Sequence, residues 1–427
     1  MVLAAVRSVA SLLLGAGILI LGNSLLGILL PVRLGVEDVP PAVTGLVMSA
    51  YYAGLVAGSL RGKTVITRVG HIRAFAAFAA LLCAATLSHA LWFDPAPWAA
   101  LRFVSGFCMA ALFATIESWL NERSGNEARG QVLSLYQWTA YLATGLGQLL
   151  VNLADVRALE LYIVAALLLS LSLLPVVLTR VQGPDLSGIK PLSLKELYRI
   201  SPLGVAGCFG AGIMSGGFYG MGPIYGQEIG LTVLQISLFM GAAILGGLIL
   251  QWPIGRLSDR FDRRTILLLV LILTGAAFGV MYFFSAAGVD SMAFLLGMPV
   301  LFGGAMSTIY PIAVSHAFDY VSRERMVAAS SGLLLAWAVG STIGPVATSL
   351  LMNWFGSPML FLFLAVMTAM LAVFARYRMS RRAALPASEQ ATFVPLTPTG
   401  DVAGSLDPRQ EKGANFGHAP RVSAAGG

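Results

Sequence analysis

The sequence predicts an all-α membrane protein in which twelve transmembrane helices form two pseudo-symmetric six-helix bundles. The first observation is composition. Of 427 residues, 57% are hydrophobic and only 11% charged, and the apolar residues fall in runs of about 20, the length that crosses a hydrocarbon layer about 30 Å thick. The second is an internal repeat: a shift of 192 positions (223 minus 31, and equally 259 minus 67) lays Pro31 on Pro223, Met48 on Met240 and Arg68 on Arg260. Such a repeat marks a duplicated helix bundle. The third is charge, because Lys and Arg collect in alternate breaks between the apolar runs.

Taken in order, the spans of the first half fall near 8–31, 43–60, 74–93, 97–118, 131–152 and 158–178. Those of the second half fall near 202–224, 233–254, 265–286, 292–316, 327–352 and 357–376. The chain divides into a bundle over 1–179, a linker over 180–201, a second bundle over 202–378 and a tail over 379–427. The first run follows Arg7 but is longer than the apolar core of a secretory signal, and no convincing small-residue cleavage site follows it, so it reads as the first anchor. An even number of spans returns both termini to one side. Arg61, Lys63, Arg68, Arg123, Arg180, Lys195, Arg256 and Arg325 lie on that side, whereas the opposite breaks hold Arg33 and Arg157. Positive residues stay cytosolic, which predicts a multi-pass protein of the cell (inner) membrane with both termini in the cytosol. Trp92, Trp98 and Trp354 fall at outer helix ends, where an aromatic belt is expected. The tail is rich in Pro, Ala, Ser and Gly without periodicity and reads as a disordered cytosolic segment.

Several function classes are excluded. The net charge of +7 sits in membrane-flanking breaks, so no nucleic-acid surface is implied. Cys83, Cys108 and Cys208 lie inside apolar runs and read as small packing residues, not as a disulfide or a metal site. No GxxxxGK[ST] loop, metal-spaced His and Cys set or nucleophile with a base is present, so the chain is expected to be no enzyme and to need no cofactor.

On the fourth span Arg102, Gly106, Ala110, Phe113 and Glu117 share one face, placing two charges in an apolar helix. A charge inside the bilayer costs several kcal/mol unless it is paired or wetted, so Arg102 and Glu117 are candidates for a cavity; snorkelling to the interfaces is the other reading. A carboxylate whose charge the membrane disfavours, and an arginine or substrate restores, can change proton occupancy during a cycle. Asn23 is a candidate cavity residue or a helix-bonding amide. Gln137, Tyr141 and Gln148 form a polar ridge on the fifth span, and Tyr310, Trp337 and Ser341 are the candidates of the second half. His316, beside Asp319, reads as an interfacial histidine. Gly27 with Pro31, Gly220 with Pro223, and Gly344 with Pro345 are candidate gating positions, because proline removes a helix hydrogen bond and glycine permits close approach.

The run GLILQWPIGRLSDRFDRR, with Gly255, Asp259, Arg260 and Arg263, resembles the loop signature of the major facilitator superfamily. RFVSGF, GQLLV, YPIA and VGSTIGP look like its YcaD-type bacterial inner-membrane branch. The resemblance implies a secondary transporter of a small solute working by alternating access between the halves, as a monomer in the lipid bilayer. In the family the arginine of the fourth-helix motif, here in LRFVSGFCMAA, is associated with proton coupling, so the coupling ion is expected to be a proton. The loop is expected to latch onto the start of the fifth helix, around residues 126–131, with Glu122 or Glu127 approaching Arg260 or Arg263. The first copy is degraded, since Thr67 stands where Asp259 does. Proton-driven efflux of amphipaths, an uncoupled facilitator and a non-transporting sensor are the alternatives.

Overall fold

The computed structural model describes residues 2–123, 129–177, 192–288, 291–322 and 325–383, with positions 385, 386, 390, 393, 394 and 398 of the tail. The first half comprises α1 (Val2–Val36), α2 (Pro41–Val69), α3 (His71–Leu91), α4 (Pro95–Arg123), α5 (Arg129–Leu149), α6 (Glu160–Leu171) and α7 (Leu173–Val177). A short linker helix α8 (Leu194–Ile200) precedes α9 (Pro202–Glu228), α10 (Val233–Arg260), α11 (Arg263–Ala286), α12 (Met292–Phe318), α13 (Met326–Phe355) and α14 (Met359–Arg381). Among the described residues there is no strand.

Local chemistry sets the boundaries. Thr232 and Gln235 form a capping box at the start of α10, and the Asp262 carboxylate accepts the Arg264 N–H at the start of α11. In the first copy the place of Asp262 is taken by Gly70, which ends α2 at φ 88°, a conformation that favours glycine. The sixth span is the one that breaks: α6 stops at Leu171, and Pro175 cannot donate the next helix bond.

Nine of the helices described are long and apolar enough to cross a membrane. The remaining three crossings are α5, α9 and the pair α6 and α7. The pair is apolar but short, broken after Leu171, whereas α5 and α9 turn Tyr141, Thr144, Gln148, Ser215 and Tyr219 towards the interior. Large apolar side chains such as Leu146, Leu269, Phe283 and Val373 are exposed around the outside, as a lipid-facing surface requires.

The two halves pack alike. α2 meets α4, α1 meets α5 and α3 meets α6; their counterparts α10 and α12, α9 and α13, and α11 and α14 do the same. Across the halves, α2 packs on α13 as α10 packs on α5. The match extends to single atoms. A Cβ on Gly54 would collide with the Phe103 carbonyl and one on Gly246 with the Val300 carbonyl; likewise Gly106 faces the Tyr51 carbonyl and Gly303 the Ala243 carbonyl. Backbone contact between helices is the usual role of such small residues in membranes. The offset is 192 on the second helix of each half but 197 on the fourth (303 minus 106, and equally 300 minus 103). At 197, Arg102 falls on Pro299 and Glu117 on Val314, so these two charges belong to the first half alone.

Two expectations change. Trp92 and Trp354 are exposed at helix ends, but Trp98 is buried, its indole N–H donating to the Trp92 carbonyl at 2.7 Å. Part of the tail, expected to be disordered, is packed: Val394 is buried, the Phe393 ring lies on Gly255, and the Phe393 N–H donates to Asp259. Gly255 leaves room for that ring, which apolar burial favours. The rest of the tail and most of the linker lie outside the described residues.

Candidate transport cavity

A cavity of about 310 Å³ lies between the halves, walled by α1, α2, α4 and α5 from the first and α9, α10, α12 and α13 from the second. Of the expected residues, Asn23, Arg102, Tyr141, Gln148, Tyr310 and Trp337 stand in its wall, with Gly27 and Pro223. The Arg102 guanidinium lies 4.3 Å from the centre of the Tyr51 ring, whose hydroxyl accepts from Asn23 Nδ2 at 3.3 Å. Such stacking holds a cation by the ring's negative face. Gln148 Nε2 donates to Ser24 Oγ at 2.8 Å, and Ser24 donates to the Thr144 carbonyl at 2.7 Å. Tyr141 is hydrogen-bonded to Ser307 across the halves. Trp337 meets Tyr52 and Tyr310 edge-on, at 6.1 and 6.4 Å between ring centres. Tyr51, Tyr52 and Tyr219 were missed in the sequence. The Tyr51–Tyr52 pair on an apolar helix was the available signal, but it reads equally as core.

Four polar atoms in this wall are buried without a hydrogen-bond partner: Arg102 Nε and Nη1, Asn23 Oδ1 and Gln148 Oε1. Buried polar groups normally have partners, so these four atoms mark where the wall can still donate or accept a hydrogen bond.

The end of the cavity away from the termini is closed by three hydrogen bonds between the halves. Gln227 Nε2 donates to the Val32 carbonyl at 2.9 Å, Ser49 Oγ to the Thr342 carbonyl at 2.5 Å, and Asn152 Nδ2 to Ser237 Oγ at 2.9 Å. Small residues permit this closure, since a Cβ on Gly35 would strike Gln227 and one on Gly45 would strike Ser349. Towards the terminal end the tail's Pro398 forms part of the wall.

Other expected residues are placed differently. Glu117 is fully buried but is not in the cavity wall; the Tyr136 hydroxyl donates to its Oε1 at 3.4 Å. It lies 15 residues beyond Arg102 (117 minus 102), or about 22 Å along α4, so helix geometry keeps these two charges from pairing directly. Gln137, one turn from Tyr141, is buried outside the wall with its amide atoms unpartnered. Ser341 is a helix-packing residue, its hydroxyl donating to the Gly212 carbonyl at 3.1 Å. Of the gating positions, Pro31 is buried within an unbroken α1, Gly220 and Pro345 touch one another, and Gly344 meets the Ile213 carbonyl.

The charged loop is taken up largely inside the second half. Arg263 Nη1 donates to both Asp319 carboxylate oxygens, at 2.7 and 2.8 Å, and to the Ser315 carbonyl at 3.1 Å. Asp259 accepts from Arg263 at 3.4 Å and from Phe393. Arg260 and Glu122 are exposed, and Glu127 with positions 126–128 of the expected latch site at 126–131 lies outside the described residues. Burial raises the Asp262 pKa, but hydrogen bonds from Arg264 and its charge outweigh this and hold the carboxyl below its usual value. His316 is buried, edge-on to Tyr320 at 5.3 Å between ring centres, in a small pocket with Arg264 and Arg382.

Residues 12–252 and 206–406 each match the family model described as Major Facilitator Superfamily. The chain belongs to the major facilitator superfamily. Its two matches begin 194 residues apart (206 minus 12), close to the repeat found within the sequence. This superfamily member is similar to the MFS-type transporter YcaD of Escherichia fergusonii, 31% identical over 363 residues that cover 84% of this chain and 92% of that relative. The solved nucleoside transporter NupG shares the fold with a TM-score of 0.73 at 13% identity, covering 87% of this chain and 99% of its own. A D-xylose-proton symporter gives 0.70 at 13% identity, covering 91% and 100%. The protein is a multi-pass membrane transporter, and its relatives are transporters, not enzymes.

Proposed function

We propose that this superfamily member is a proton-coupled secondary transporter of the bacterial inner membrane, with both termini cytosolic, that moves a small solute by rocking its halves about the central cavity. One observation carries the reading: a cavity with unpartnered polar atoms lies between two pseudo-symmetric bundles that are hydrogen-bonded together at the end away from the termini. This is the geometry expected of a state open towards the cytosol. Breaking those bonds and closing the terminal end would expose the same residues to the other side.

Glu117 is the proton site in this reading. Burial in the membrane disfavours its charge, and a proton removes that cost. Arg102 acts in the cavity, and the two are linked through α4 instead of by contact. Transport by the purified protein in proteoliposomes, with and without an imposed proton gradient, tests this. Glu117→Gln is expected to abolish gradient-driven accumulation while solute exchange at equal concentrations persists. Full gradient-driven accumulation by that variant removes Glu117 from the mechanism.

Efflux of amphipathic solutes is the second reading, favoured by the aromatic and methionine walls at Tyr52, Tyr219, Trp337, Met48, Met240 and Met306. It differs in direction and in tolerance of solute shape, and the same vesicles in both orientations separate the two.

A further inference from the structure

The charge balance of the cavity is uneven. Arg102 is the single charged residue among those described in its wall, with neither Asp nor Glu to oppose it. It is 97% buried, and Nε and Nη1 have no acceptor. The Tyr51 ring covers the guanidinium without supplying an acceptor in the guanidinium plane. A guanidinium presents its N–H groups in a planar fork that matches a carboxylate. Leaving such a group buried and unpaired is costly, and an anionic solute relieves that cost on entry.

The rest of the wall says what accompanies the anion. Tyr52, Tyr219, Tyr310 and Trp337 supply rings, while Asn23 Oδ1 and Gln148 Oε1 are free to accept from an N–H or O–H. One cation balances one negative charge, so a dianionic phosphate would leave a charge uncompensated. The volume of about 310 Å³ is roughly twice that of a cavity known to hold benzene, which suits one or two rings.

We infer that the solute is a small aromatic monocarboxylate, its carboxylate on Arg102 and its ring among Tyr52, Tyr310 and Trp337. This rests on the transport reading for the solute's passage, but the binding chemistry stands apart from flux.

The test uses the full-length protein in lipid nanodiscs, with benzoate and indole-3-acetate as probes. Benzamide and indole-3-acetamide are their neutral matches, and tetraphenylphosphonium is the cationic control. Binding is measured by calorimetry and by thermal shift. The acids are expected to bind at least tenfold more tightly than the amides in the unmodified protein. Arg102→Gln is expected to weaken them about 10- to 100-fold, the range for a hydrogen bond to a charged group, with Arg102→Lys in between. Equal binding of amides and acids, preference for the cation, absence of acid binding, or acid binding unchanged in Arg102→Gln overturns the inference. The comparison of acid with amide needs no variant, so misfolding of a substituted chain leaves the test intact. Counterflow of labelled benzoate in proteoliposomes then separates the two claims. Arg102-dependent binding without exchange refutes the transport reading alone, whereas exchange of a neutral solute that survives Arg102→Gln refutes the solute class alone.

Discussion

If the halves rock as proposed, the three hydrogen bonds that close the end away from the termini, the outer end in that reading, provide a direct handle on alternating access. They join Ser49 to Thr342, Gln227 to Val32 and Asn152 to Ser237, always across the halves. A hydrogen bond between membrane helices contributes about 0.6 kcal/mol on average. The triple variant Ser49→Ala, Gln227→Leu, Asn152→Ala therefore removes about 1.8 kcal/mol from the state closed outside, if the bonds are independent. This is about a 20-fold shift towards the outward-open state. Gly27 reports that shift, because it lines the cavity and nothing lies within 4 Å of a Cβ built there. A cysteine placed at Gly27, with Cys83, Cys108 and Cys208 replaced, is labelled with a membrane-impermeant maleimide from the outside of intact cells. When opening is fast relative to labelling, the labelling rate follows the open population, and the triple variant is expected to label about 20-fold faster. Each single variant is expected to give about threefold. An unchanged rate in the triple variant, with unchanged labelling from the cytosolic side, would refute the assignment of these bonds as the outer seal.

Two further outcomes follow from the terminal end. Asp319→Asn leaves Arg263, 1% exposed, without its closest carboxylate; breaking a buried pair costs about 3–5 kcal/mol, so the melting temperature of the purified protein falls, and an unchanged value shows that the arginine is held without Asp319. Truncation after residue 383 removes Phe393 from Gly255 and Pro398 from the cavity wall. Solute entry from the side of the termini is then expected to quicken, and equal initial rates in vesicles that expose that side would show that the tail does not limit access.

What the sequence determined by itself was whatever depends on local pattern. Apolar runs set the spans, because a backbone in lipid must satisfy its own hydrogen bonds and does so as helix. The pairing of Pro31 with Pro223 and Met48 with Met240 disclosed the duplication, and the packing of Gly54 and Gly246 shows it again at atomic detail. The facing of single residues was decided only by tertiary structure. Tyr141 and Gln148 reach the cavity but Gln137 does not, although all three read as one ridge. Ser341 goes to the Gly212 carbonyl, because α9 and α13 approach backbone to backbone there. Arg102 and Glu117 share a helical face on paper, yet about 22 Å of helix separates them and only the arginine meets the cavity. Helical periodicity records which residues share a side of one helix. Which side becomes a cavity depends on where the other helices stand, and that is a property of the assembled bundle.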